Sequence, residues 1–403
     1  MSTLTVREIV RRKRKEYQKA RKAQKMRILD EVEGLTGYHR KSLVRLFLGA
    51  AGPRNAPVRR PRASKYEPIL PHLRVLWGMS LYACGKRLAP FVGELLASLK
   101  RFGEIELTAD EEALLCSISA ATIDRMLAAD RARITLKGRA TTKPGTLLRS
   151  KIPVRTFADW DEREPGFFEL DLVGHCGGSG KGEFLYTLNM IDVFSGWTAL
   201  GAMRGRGERG TLLAIKSAQK HIPFVLKGID SDNDSAFINY HLMKYCREQQ
   251  ITFTRCRPWK KNDQCHVEQK NWSVVRQFIG YRRFETDEQL ALLEKIYSLV
   301  MPYHNFFCPM MKLRTKERDG SKVTRRYEPA ATPYQRLLMV DRRLDEQTKE
   351  RLRRQYQATN PAALLRQIQA LLAQLEKLTD ATEETLPRLI SVTSLVRQPS
   401  PFR

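Results

Sequence analysis

The chain has 403 residues, 42% of them hydrophobic, which is enough for two or three domains with real cores and too apolar for a disordered polymer. Its 71 Lys and Arg against 44 Asp and Glu give a formal net charge of +27, so the expected partner is a polyanion, nucleic acid above all. Seven scattered cysteines without a C-x-x-C pair argue against a disulfide framework or a zinc finger; with no apolar leader and no run of 18 apolar residues, a soluble cytoplasmic protein that needs no membrane is expected.

Basic charge is concentrated at the start, where residues 1–65 hold 19 Lys and Arg against 5 acids. Within residues 1–52 a helical stretch around Met26–Val32, a turn supplied by Gly34, and a second helix with Leu43, Leu46 and Phe47 at helical spacing read as a helix-turn-helix. Arg40 and Lys41, near the start of the second helix, are its expected DNA contacts. A basic linker at 53–65 adds Arg59 and Arg60. A second helix-turn-helix-like DNA-binding region is expected at 66–130, with Thr108 as an N-cap ahead of Asp110, Glu111 and Glu112 and a further helix through Ile123–Leu127. Residues 131–155 hold eight basic residues and no acid, broken by Pro144-Gly145 and Pro153. The segment 131–160 therefore reads as another basic linker, with Arg149 and Lys151 as phosphate contacts.

From about residue 165 the pattern turns from helical to strand-like. Strands are expected at Phe167–Val173, Phe184–Val193, Trp197–Ala202, Phe224–Ile229 and Ile251–Cys256, with the flexible turn Cys176–Gly182 between the first two. Helices are expected at Gly207–Lys220, Ser235–Arg247 and Asp263–Ile279. The order βββαβαβα makes residues 161–305 a mixed α/β domain with helices on a five-stranded sheet. Beyond it come a basic segment, 306–330, turning at Lys316–Lys322, and a helical region, 331–403, whose helix Pro361–Leu378 carries Leu364, Ile368, Leu371, Leu375 and Leu378 as a short seam, for its own domain or for a second copy.

The chemistry follows from where acids fall on that frame. Asp171 sits in the first strand, with Glu169 on the same face by alternation; Asp232 ends the fourth strand; Glu268 lies on the helix after the fifth. At 100° per residue Glu268 shares an apolar stripe with Trp272, Val275 and Ile279, while Lys270, Ser273 and Gln277 face away. Carboxylates gathered at one sheet edge repel each other and lose hydration, a balance that a hard divalent cation restores, so Mg²⁺ or Mn²⁺ is the expected cofactor. Glu169 and Asp230 stand as rival ligands for Asp171 and Asp232. Lys260, Lys261, Lys270 and Arg276 are expected phosphate contacts beside the site, and His175 and His266 are read as structural.

These motifs carry a resemblance. The segment Phe167–Gly280 resembles the catalytic core of retroviral integrases and insertion-sequence transposases, the DDE enzymes. Between Asp232 and Glu268 lie 35 residues, that family's interval; Ile229–Asn233 is similar to its Asp-Asn signature, Lys261–Glu268 to the segment delivering its Glu, and Asp171 matches its first-strand Asp. The flanking helix-turn-helix units and Thr332–Leu338 resemble bacterial insertion-sequence transposases. Where integrases usually have Gly after Asp-Asn this chain has Asp234, expected to cap the next helix.

The resemblance implies an α/β fold: a ribonuclease-H-like mixed five-stranded sheet with flanking helices, preceded by an all-α helix-turn-helix region and followed by a helical tail. It further implies a DNA transposase in which Asp171, Asp232 and Glu268 form the catalytic, metal-holding triad. Such an enzyme cuts transposon ends with water and joins the freed 3′-OH to target DNA. The implied partners are double-stranded DNA, as terminal repeats and target, and further copies of the chain in a homo-oligomer, in a bacterial cytoplasm and on the nucleoid when bound to DNA. A non-catalytic helix-turn-helix repressor and a ribonuclease-H-like nuclease without strand transfer stay open as alternatives.

Overall fold

The computed structural model describes residues 3–48, 64–132, 164–256, 267, 270–319, 322–340 and 344–379. They fall into two compact units, divided between Ser64 and Lys65.

The first unit is three helices, α1 (Thr3–Lys19), α2 (Lys22–Thr36) and α3 (Arg40–Leu48), closed over Tyr17, Ile28, Leu29, Val32, Leu43 and Phe47. The turn is made by Gly37 at φ +68°, whose N–H caps Glu33 O, and Gly34 stays inside α2. A left-handed residue just past the last turn is where the missing Cβ matters, which is why Gly37 takes the role expected of Gly34. The nine residues of α3 bury only the i, i+4 pair Leu43 and Phe47, leaving Leu46 exposed instead of in the core.

The second unit opens with six short helices: α4 (Leu70–Met79), α5 (Gly85–Leu88), α6 (Val92–Arg101), α7 (Ala109–Ser117), α8 (Ala120–Met126) and α9 (Ala128–Ala132). Thr108 and Glu111 form the reciprocal cap of α7, and Ser119 caps α8. These helices share one apolar core with the sheet that follows. Hydrogen bonds fasten this region to segments that follow the sheet: Gln277 Nε2 donates to Leu81 O at 3.0 Å, Arg87 Nε to Pro309 O at 2.6 Å, and Tyr303 Oη to Met79 O.

The sheet comprises β1 (Phe167–Gly174), β2 (Leu185–Asp192), β3 (Thr198–Arg204), β4 (Gly228–Ser231) and β5 (Thr252–Arg255), with α10 (Glu208–Gln219) and α11 (Tyr240–Glu248) between the later strands. Its order is β3-β2-β1-β4-β5, antiparallel among the first three and parallel across β1, β4 and β5. This is the expected mixed sheet in the expected chain order. The fourth strand starts at Gly228, later than the apolar run from Phe224, because pairing begins where Phe167 of β1 lies against Gly228. A Cβ there would meet the Phe167 ring at 2.5 Å.

After β5 come a π-helical turn, Asn271–Arg276, a single α-turn, α12 (Gln277–Ile279), and the long helix α13 (Asp287–Phe307). A hairpin, β6 (Leu313–Asp319) with β7 (Lys322–Tyr327), occupies the basic segment, and α14 (Pro333–Leu338), α15 (Glu346–Ala358) and α16 (Pro361–Lys377) complete the unit. In α16 the buried row is Leu365, Ile368, Leu372 and Leu375; it packs mainly on α13, so two of the five expected seam residues, Ile368 and Leu375, turn fully inward and Leu378 is exposed. No helix among the described residues is long and apolar enough to cross a membrane.

Candidate active site

Asp171 lies in β1 opposite Asn189 of β2. Its Oδ1 accepts the Leu172 N–H at 2.8 Å, and its Oδ2 accepts Asn271 Nδ2 at 2.5 Å. Asn189 Nδ2 in turn donates to Asn271 Oδ1 at 2.8 Å, which fixes the Asn271 amide with its NH₂ toward the carboxylate. Sequence reasoning missed both asparagines; the one available signal was an amide among the apolar residues of β2.

Asp232 follows Ser231, the last residue of β4, which pairs with Leu170 of β1, so Asp232 leaves the sheet one step past that register, beside mid-strand Asp171. Asp232 Oδ1 accepts the Asp234 N–H at 2.9 Å. Burial pushes the Asp232 carboxyl up to about 7, and the charge of Asp171 adds to the rise, with Asp234 adding less and Arg206 opposing. Two oxygen-only donors that penalise each other's ionisation are the donor set a hard divalent cation fits.

The residues after Asp232 hold it in place. Asn233 Nδ2 donates to Cys256 O and its Oδ1 accepts Arg255 Nη1, both at 3.0 Å, tying the end of β4 to that of β5. Asp234 accepts the Ala236 N–H at 2.9 Å and pairs with Arg206 at 3.0 Å. It caps the turn at 234–238, while α11 is capped by Asn239, five residues later than the expected helix start allowed.

The rival acids point into the fold. Glu169 is fully buried, and its Oε2 accepts the Val267 N–H at 2.9 Å. Asp230, equally buried, accepts Thr254 Oγ1 at 2.6 Å. Glu169 thereby ties the backbone immediately before Glu268 to β1. Glu268 itself lies outside the described residues, as do Lys260, Lys261, Arg149, Lys151, Arg59, Arg60 and His266. Among the described residues no group of three His, Cys, Asp or Glu side chains comes together as a metal site.

The helical face expected around Glu268 is corrected. Trp272 is 45% exposed, whereas Lys270 and Gln277 are buried with Val274, Val275, Phe278 and Ile279. A π-helical turn closes i→i+5 bonds and holds more than 3.6 residues, so a 100° projection loses its phase after residue 270. Lys270 is consequently no surface phosphate contact: its Nζ lies 3.2 Å from His304 Nε2, and burial, then Arg87, pushes it down to about 7. Arg276 is spent internally too, donating to Gly174 O at 2.8 Å and Gly280 O at 3.0 Å. Arg40 bonds Asp30 and reaches Glu33, while Lys41 is exposed. His175 is buried against Thr187 Oγ1 at 2.7 Å and held well below its ordinary pKa by burial, the structural histidine expected.

Residues 161–261 match the profile described as Integrase core domain. Over 323 residues the chain is 39% identical to the uncharacterized protein y4rM of Sinorhizobium fredii (strain NBRC 101917 / NGR234), an alignment covering 79% of this chain and 91% of that protein. The chain belongs to one family with that protein and contains an integrase core domain. Its integrase-core segment contains Asp171 and Asp232 and ends before Glu268. Among solved structures the chain is similar to the HTLV-2 integrase catalytic core domain in complex with magnesium, at 16% identity over 37% of this chain and 92% of that one, TM-score 0.28. It is also similar to the simian T-cell lymphotropic virus intasome in complex with PP2A regulatory subunit B56 gamma, at 14% identity over 62% and 76%, TM-score 0.33.

Proposed function

We propose that this integrase-core protein is a DNA transposase that cuts and joins DNA strands at Asp171, Asp232 and Glu268. The observation that carries this reading is the juxtaposition of Asp171, within β1, and Asp232, just past the end of the parallel neighbour β4, close enough for one charge to raise the proton affinity of the other. Glu169 and Asp230 are already engaged inside the sheet, which favours the named pair as ligands. Mg²⁺ or Mn²⁺ held there supplies activation of the attacking oxygen and stabilisation of the leaving one in an in-line phosphoryl displacement. The chain's own residues do the positioning. Asn189 and Asn271 orient Asp171, Asn233 and Asp234 fix the turn bearing Asp232, and Glu169 holds the backbone that leads into Glu268.

The basic surroundings give the substrate. A net charge of +27, with Lys41 exposed on α3 and basic segments carrying Arg59, Arg60, Arg149, Lys151, Lys260 and Lys261, suits duplex DNA, and paired ends call for a homo-oligomer. The test is incubation of a pre-cut 3′-OH end with target DNA and Mg²⁺ or Mn²⁺. Joined product supports the transposase, cutting without joining a ribonuclease-H-like nuclease, and binding without either a helix-turn-helix repressor.

A further inference from the structure

Of the ten residues joining β1 to β2, the central eight, Cys-Gly-Gly-Ser-Gly-Lys-Gly-Glu from Cys176 to Glu183, are gathered by one guanidinium. Arg283 Nη1 donates to Ser179 O at 2.9 Å and Cys176 O at 3.5 Å, and Nη2 to Lys181 O at 3.0 Å and Glu183 O at 3.1 Å. Its Nε donates to Glu285 Oε2 at 2.7 Å. The guanidinium also sits 5.5 Å from the centre of the Phe184 ring, which stacks on Tyr186 at 4.8 Å, so the clamp is seated on β2.

In a planar trans peptide the C=O of one residue and the N–H of the next point in opposite directions. Drawing the carbonyls of Ser179 and Lys181 onto Arg283 therefore turns the amides of Gly180 and Gly182 away from it. Neither amide has an acceptor among the described residues, and both flank the exposed Lys181. A Cβ built on Gly178 or Gly180 would meet nothing within 4 Å, so this face is open to a bulky ligand. The one acid of the loop, Glu183, lies near Arg204, whose pKa is raised first by its bond to Asp287 and least by Glu183.

We propose that this loop is a DNA-backbone contact, with the Gly180 and Gly182 amides and the Lys181 ammonium meeting phosphate oxygens. Amides already turned outward carry little ordering cost on binding, and glycine lets a phosphate approach the backbone. Asp171 lies three residues inside the end of β1 and the loop starts two residues beyond it, on the order of 15 Å at strand rise. The contact thus falls a few nucleotides from the reacting phosphate. This inference rests on the reading that the substrate is DNA.

The test is fluorescence anisotropy of a labelled duplex of arbitrary sequence over a series of NaCl concentrations, with full-length Asp232→Asn protein as parent so that no strand is cut. Lys181→Ala should lower the slope of log K against log[salt] by about 1. Gly180→Pro, which deletes one amide without changing charge, should weaken binding roughly five-fold at fixed salt, and Arg283→Lys, which keeps the charge but cannot hold four carbonyls, roughly ten-fold. Near-UV circular dichroism checks the fold; if Arg283→Lys is misfolded, the two substitutions at exposed loop positions decide. A parent that binds while every folded variant matches it overturns the loop proposal and leaves the DNA reading standing. A parent that binds no duplex overturns both.

Discussion

Asn271, on the π-helical turn, donates its side-chain amide to Asp171 on β1 at 2.5 Å, and its own carbonyl oxygen is held by Asn189. The relay leaves the carboxylate one orientation. Asn271→Ala should therefore slow metal-dependent strand cutting by roughly ten- to a hundredfold, the worth of one hydrogen bond to a charged group. Tm should change little, because the group is polar and borders the site. Asn189→Ala should act through Asn271, so single-turnover rates of the double variant should match Asn271→Ala alone. Multiplicative losses would break the relay.

Asp232 gives a signed pH dependence. Its folded pKa, about 7, lies above the 3.8 of an unperturbed Asp, so the folded state holds the proton more tightly. The stability contribution of the protonated form is complete below the unfolded value and is lost as pH rises through about 7. Without divalent cations, Asp232→Asn should melt higher than wild type at pH 8 and close to it at pH 4, as differential scanning calorimetry can record. Since metal and proton compete for this carboxylate, activity should rise with pH around 7, and its midpoint should fall as Mg²⁺ is raised.

Burial of Lys270 against His304 separates it from the exposed lysines proposed to meet DNA. Lys270→Met should leave the salt slope of duplex binding unchanged, whereas Lys41→Ala, on an exposed position, should reduce it by about 1. Equal reductions would place the Lys270 ammonium at the surface after all.

Gly85 lets α5 meet α8: a Cβ there would stand 2.0 Å from Ala120 O, and its N–H donates to Asp124 Oδ1 at 2.8 Å. Gly85→Ala should force the helices apart and cost about 1–3 kcal/mol by urea unfolding. Gly178→Ala, with nothing within 4 Å, should cost less than about 0.5 kcal/mol in the same measurement.

The order of strands and helices was legible because period-two apolar runs and N-cap residues are local signals; Thr108 with Glu111 is read as easily in sequence as in space. Asp171 could be placed on the frame because it falls in a strand-length apolar run, and Asp232 because it falls where the fourth such run gives out, with 35 residues between it and Glu268. What escaped depends on partners far along the chain. The start of β4 is set by Phe167, the inward turn of Lys270 by His304, and the Asn189–Asn271 bond joins residues 82 positions apart. The π-helical turn has no local signature, since a switch from i→i+4 to i→i+5 bonding is decided by packing.

The central claim is that Asp171, Asp232 and Glu268 act together, and the most direct measurement compares wild type with Glu268→Gln in joining a pre-cut 3′-OH end to target DNA with Mn²⁺. The account predicts joined product from wild type and a loss of roughly a thousandfold or more in Glu268→Gln at unchanged DNA affinity. Equal joining by the two proteins would contradict it.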